Sequence, residues 1–180
     1  MDILMKFEKA TELYNNKKHK SAYQAFLELA EKEEVNSMMQ VAYMLINGEG
    51  VQQNIREGYI WYKKTADKNK ASAQYYYGWY CLDNKKIETG KKYLNMAIKN
   101  QYKDAIYDVA KLYAFEGFGY EKDINKAIFL YEQACLLNKK DACLGLYLAS
   151  KELGGKKKAI RYIQEKIGYF KYFKIILFGK

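Results

Sequence analysis

An all-α fold of repeated helical hairpins is predicted by three features of this chain. Proline is absent from all 180 residues, so nothing forces a helix to break, and glycine and asparagine are left as punctuation. Apolar and small residues recur at three- and four-residue spacing through most of the sequence, the period of a helix with one buried face. A small residue also recurs at one fixed place, Ala22, Gly58, Gly90, Ala127 and Ala159, with separations of 36, 32, 37 and 32.

A second small residue follows each of the first four by 15 positions, at Ser37, Ala73, Ala105 and Ala142. The segment joining one hairpin to the next therefore keeps its length. Variation is confined to the inner turn, which is long and glycine-bearing in INGEGVQQN and EGFGYEKD but short in LDNKK and ELGGK. GEGVQQNIREGYIWYKKTA (48–66) and GFGYEKDINKAIFLYEQAC (117–135) line up at a constant offset of 69. This ruler predicts one right-handed α-solenoid domain, 1–180, of about five helix-turn-helix repeats at 2–35, 36–70, 71–103, 104–140 and 141–168.

Each element follows from its own residues. In the second repeat the helices fall at about 36–46 and 54–68. Ser37, Val41, Ala42 and Leu45 form the buried stripe of the first, and Ile55, Gly58, Trp61, Tyr62 and Ala66 that of the second. Small residues at 42, 58, 78 and 110 let neighbouring helices approach, and large aromatics fill the grooves beside them. Gly48 and Gly50 could suggest a phosphate-cradling loop, but that loop needs a preceding strand and a third glycine, and position 53 is glutamine. They are read instead as a bend in which glycine stops one helix and Asn54, or Asp123 in the fourth repeat, caps the next. The last twelve residues, YFKYFKIILFGK (169–180), read as a capping helix over the final hairpin, or alternatively as an aromatic-basic contact with a membrane surface or partner.

Charge and composition narrow the function. The formal net charge is +10, yet Arg56 and Arg161 are the only arginines, so the excess reads as solvated lysine surface rather than a nucleic-acid site. The N-terminal MDILMKFEKATELY is broken by charges and lacks the form of a signal peptide, and no run of 18 apolar residues could span a membrane. A cytoplasmic, monomeric protein is expected. The single histidine, His19, has no serine or cysteine at a recognisable catalytic spacing, and neither C-x-x-C nor H-x-x-x-H occurs. No enzyme activity, metal or cofactor is expected.

The second and fourth repeats share a glycine-loop pattern, G-x-G-(V/Y)-x-x-(N/D)-I, followed by a helix with a small residue and an aromatic. This pattern resembles the Sel-one-like repeat (SLR), a relative of the tetratricopeptide repeat. The resemblance covers about 36–168, is strongest in 36–70 and 104–140, and departs from the family at Tyr147, where a small residue is usual. The first repeat is more similar to a tetratricopeptide hairpin. The family implies protein–protein scaffolding by an adaptor, regulator or neutralising partner, with no shared chemistry.

In such solenoids the first helix of each hairpin lines the concave side, so residues off its buried phase would face a groove for another protein or an extended peptide. These are Tyr14 in the first repeat; Met39, Gln40 and Tyr43 in the second; Tyr75, Tyr76 and Trp79 in the third; and Tyr107, Asp108 and Lys111 in the fourth. Tyrosine and tryptophan are frequent interface anchors; the structural alternative is that the inner wall buries them. Cys135 and Cys143, eight apart, are spaced like a disulfide of exported SLR proteins, which would imply a periplasmic or secreted protein whose leader has been removed. Two buried thiols in a reducing cytoplasm are the other reading, and Cys81 falls at a core position of its helix.

Overall fold

The computed structural model describes residues 2–167, which are helical apart from turns, loops and one isolated bridge between Gly117 and Tyr120. The proposed capping segment, 169–180, lies outside them. The helices are α1 (Ile3–Asn15), α2 (His19–Ala30), α3 (Val35–Asn47), α4 (Ile55–Asp67), α5 (Ala71–Asp83), α6 (Ile87–Lys99), α7 (Lys103–Phe115), α8 (Ile124–Leu136) and α9 (Lys140–Ile167). The last is two arms rather than one rod, because Gly155 breaks it at φ 76° and ψ 169°. The ELGGK turn is thus a single-glycine break.

The backbone forms two compact units, Met1–Cys81 and Leu82–Lys180. In the first, Ala10, Ala22, Phe26, Ala30, Met38, Val41, Met44 and Leu45 build one core across α1, α2 and α3. In the second, Leu94, Ala97, Ile106, Val109, Leu146 and Ile163 are almost wholly buried.

One turn design explains why the ruler between hairpins is constant. Glu33, Asn69, Gln101 and Asn138 each adopt positive φ, between 56° and 66°. Each donates its N–H three residues back, and the next residue reaches five back. Asn69 N bonds Ala66 O at 2.9 Å and Lys70 N bonds Thr65 O at 3.4 Å; Asn138 N bonds Cys135 O at 3.0 Å and Lys139 N bonds Ala134 O at 2.9 Å. This closure satisfies the last carbonyls of the preceding helix and fixes the exit direction. A change of length there would break both bonds; the short α1–α2 turn has the same closure, Lys17 N to Tyr14 O and Lys18 N to Leu13 O, both at 2.9 Å, so it is the glycine-bearing inner turns that differ.

The glycine-bearing loops connect two helices, as the missing third glycine implied. Gly48 ends α3 at φ 72°, and the Asn54 side chain accepts from Glu57 N at 3.1 Å to open α4. Asp123 does the same for α8, accepting from Lys126 N at 3.0 Å. At Gly58 a Cβ would stand 2.9 Å from the Ala42 carbonyl, so α3 and α4 cross closely there. The predicted stripe of α4 needs one correction: Ile55 is exposed, because in the first helical turn it precedes the face that meets α3. Gly58, Tyr62 and Ala66 are buried, and Trp61 is half-buried.

Candidate functional site

The first unit places the predicted residues of α1, α3 and α5 side by side. Tyr14 on α1 donates its hydroxyl to Glu49 Oε2 at 2.5 Å, and the Tyr43 hydroxyl acts on the same phenol. The hydrogen bond to Glu49 is the largest of several causes that push the Tyr14 phenol above its ordinary range. Ser72 Oγ on α5 lies 3.9 Å from Met39 Sδ on α3, and Lys70 Nζ donates to Asn36 Oδ1 at 2.9 Å. These contacts stitch the first helices of successive hairpins together along one face. Tyr43 and Tyr76 keep 42% and 41% of their surface exposed.

Tyr75, Tyr76 and Trp79 have different surroundings. Tyr76 stacks on buried Tyr62 of α4, with centroids 5.2 Å apart and planes at 18°. One of its faces is therefore packing, and only the remainder can meet a guest. Tyr75 meets Tyr76 and Trp79 edge-on, at 67° and 80°. Tyr80 is stacked on Tyr59 at 3.8 Å. Sequence reasoning missed the Tyr62–Tyr76 pair; its signal was two tyrosines fourteen residues apart across the inter-repeat turn.

In the second unit, Tyr107 lies between two cations, Lys111 Nζ at 5.5 Å and Lys139 Nζ at 5.3 Å from its ring centroid. Lys139 also pairs with Asp104 at 2.6 Å, and Lys111 approaches Asp108 at 3.9 Å. Burial, and then the Asp141 and Asp108 carboxylates, raise the Tyr107 phenol above its ordinary range. The predicted trio thus sits in a patch whose charges are matched within the chain. Lys139, 35 residues from Asp104, carried no sequence signal for this role.

Cys135 and Cys143 are joined by a disulfide, with Cα atoms 4.8 Å apart, linking α8 to the start of α9. Cys81 is a fully buried thiol outside the disulfide. His19 opens α2 and meets the Tyr14 ring edge-on at 5.0 Å. Two cavities in the second unit measure about 390 and 340 Å³. The first is lined by Ile128, Phe129, Leu153 and Tyr162 among others, the second by Lys91, Tyr113, Tyr120 and Lys126 among others; neither includes a residue predicted for the site. Among the described residues, no three His, Cys, Asp or Glu side chains converge as metal ligands.

A family model described as the Sel1 repeat matches residues 35–70, 71–102 and 103–139, over half of the chain. The chain belongs to the Sel1-repeat family. Sel1 repeats form helical scaffolds that are typically non-catalytic and generally serve protein interaction. Solved structures similar to this Sel1-repeat chain include a Sel1 repeat protein from Oxalobacter formigenes, at TM-score 0.78 and 18% identity, covering 96% of this chain and 76% of that one. Another is c5321, a protective antigen of uropathogenic Escherichia coli strains with an SLR fold, at TM-score 0.76 and 18% identity. That match covers 99% of this chain and 42% of the antigen, so the chain spans less than half of it. MamA protein is similar at TM-score 0.60 and 18% identity, covering 98% of this chain and 94% of MamA. At such identities these likenesses establish the fold, an all-α solenoid of helical repeats. No curated protein matches the sequence. Among the described residues, no helix is long and apolar enough to cross a membrane.

Proposed function

We propose that this Sel1-repeat protein is a non-catalytic interaction module that binds another protein or a peptide on the first-helix face of its hairpins. It would act as an adaptor, a regulator or a neutralising partner. The observation that supports the reading is that Ser72 of α5 meets Met39 of α3, that Tyr75 meets Tyr76 and Trp79 ring to ring, and that Tyr43 and Tyr76 remain two-fifths exposed. Such aromatic side chains bring large contact area with few rotatable bonds, the usual make-up of interface anchors. Tyr14 extends the face in the first unit, while Tyr107, Asp108 and Lys111 offer a polar surface on the second unit.

The test is affinity capture with the wild-type chain and with Tyr43→Ala and Trp79→Ala as baits, each checked for folding by circular dichroism. Recovery of a specific partner should fall at least about tenfold in one or both variants, the loss expected for an anchor. Equal recovery on all three baits would remove the face from the interaction.

A second reading concerns location. The Cys135–Cys143 bond favours an oxidising compartment, and with it an exported protein acting on envelope or host targets. Thiol titration of protein isolated without reductant distinguishes the two: one reactive thiol after denaturation supports export, and three support the cytoplasm.

A further inference from the structure

The face just described has a chemical character that its surroundings lack. Val35–Asn47, the whole of α3, contains no Asp, Glu, Lys, Arg or His, and neither does Ala71–Leu82 of α5. This occurs in a chain with 31 basic and 21 acidic residues. It is not a general property of first helices. Lys6, Glu8, Lys9 and Glu12 lie on α1, and Lys103, Asp104, Asp108 and Lys111 on α7. Nor is it explained by burial, since Asn36, Tyr43, Asn47 and Tyr76 are exposed and Met39, Gln40, Tyr75 and Trp79 are only half-buried. Glu49, just past the end of α3, and Lys70, just before α5, bond the neutral groups of Tyr14 and Asn36 and lie outside both helices.

What remains along α3 is a row of amides. Asn36 uses its oxygen on Lys70, leaving its N–H₂ to give. Asn47 donates to the Tyr43 carbonyl at 2.9 Å, leaving its oxygen to accept. Gln40, between them, bonds to no described residue, so both its donor and its acceptor are unspent. Asn36, Gln40, Tyr43 and Asn47 are spaced by four, three and four residues and so share one stripe, about 16 Å long at 1.5 Å per residue. That is the reach of about five residues of extended chain at about 3.3 Å each. An extended backbone presents the same alternation of N–H and C=O that these amides can answer.

We propose, resting on the interaction reading above, that α3 and α5 recognise an extended peptide segment free of charged side chains. The amide stripe pairs with its backbone, and Tyr43, Tyr75 and Trp79 cover its apolar or small side chains. Along α3 and Ala71–Leu82 a charged side chain would lose water and find no opposite charge on either helix, which selects against acidic and basic segments. A neutral glycan would be the competing guest, but sugars stack on open flat rings. The α5 rings instead meet edge-on, and Tyr76 has one face covered by Tyr62.

The experiment screens the full chain against a displayed library of random peptides about 12 residues long, alongside an N-acetylglucosamine hexasaccharide. Enriched peptides should share an uncharged core of about five residues. Their affinity should change less than about twofold from about 50 to about 500 mM NaCl, because no counterions are released. Gln40→Ala and Tyr43→Ala should each weaken them at least about tenfold, and Gln40→Lys should select against them more strongly than Gln40→Ala. Enrichment of charged, salt-sensitive peptides that still need Gln40 and Tyr43 overturns the inference and leaves the interaction face standing. Binding of the hexasaccharide without uncharged peptides overturns it likewise. Peptides indifferent to both substitutions, or no enrichment at all, overturn the inference and count against the face itself.

Discussion

The two units carry the same glycine loop, 69 residues apart, and hold it in place by different means. In the first unit Gly50, at φ 72°, lies directly on the backbone of the preceding hairpin: a Cβ there would overlap the His19 carbonyl and Lys20 N. In the second unit Gly119, at φ 74°, faces the Ile87 side chain 2.8 Å from where its Cβ would sit. Side chains pin that loop instead. Lys91 Nζ donates to the Gly119 carbonyl at 2.7 Å and stands 5.1 Å above the ring of buried Tyr120, which meets Tyr113 edge-on. Tyr120 and Gly117 also exchange backbone bonds at 2.9 and 3.3 Å. The same sequence motif thus meets one rigid support and one adjustable support. What a glycine is for cannot be read from the motif alone.

Alanine at each glycine separates the two cases, and the largest effect is expected at Gly50. Gly50→Ala meets both the left-handed backbone penalty and an overlap with main-chain atoms that cannot rotate away, together about 3 kcal/mol. Gly119→Ala carries the same backbone penalty, but Ile87 and Lys91 can move, so a loss of about 1–2 kcal/mol is expected. Urea unfolding gives the totals, and hydrogen exchange assigns the loosened amides to α2–α4 or to α6–α8. Equal losses would mean that both supports are equally stiff, and the comparison would fail.

The inter-repeat junctions sharpen the contrast at intermediate size. At 135–143 the second unit uses a disulfide. At the corresponding place in the first unit, Gln74 Nε2 donates to the Ala66 carbonyl at 3.3 Å and to Asn69 Oδ1 at 3.0 Å, so a buried amide spans the same gap. Reduction should destabilise the second unit by about 2–3 kcal/mol, the value for closing so short a loop. Faster exchange is expected in α8 and the first arm of α9, with α3, α4 and α5 up to Cys81 unchanged. Loosening of α3 and α4 on reduction would show that the first unit depends on the second.

Much of this was legible in the sequence because it is local and periodic. The ruler fixed where hairpins join, and Asn54 and Asp123 declared themselves as caps by standing just ahead of an apolar helical stripe. Tyr43 and Tyr76, which lie off the buried phase of their helices, are exposed. The Cys135–Cys143 junction was anticipated, but other contacts escaped: Gly50 on His19, Tyr62 under Tyr76, and Lys139 reaching Asp104 and Tyr107. Those depend on how far one hairpin is advanced against the next, which side-chain spacing does not encode. Ile55 was misread for a smaller reason. It keeps the phase of Gly58 and Tyr62 but lies in the first turn of α4, where it remains exposed.

The smallest effect tests the feature that both units share. Gln101 (φ 56°) and Glu33 (φ 64°) hold a conformation that ordinary side chains adopt at a cost of about 1 kcal/mol, while Asn69 and Asn138 tolerate it through local side-chain hydrogen bonding. Glycine removes that strain but adds freedom to the unfolded chain, so the two terms partly cancel. Gln101→Gly and Glu33→Gly should each gain about 0.5 kcal/mol, and Asn69→Gly and Asn138→Gly should be close to neutral. The pairing matters more than the size. Among these four inter-hairpin turns each unit contains one strained and one tolerant, so gains should follow residue type and not the unit. A gain confined to one unit would show that its turns are strained by something beyond their own backbone bonds.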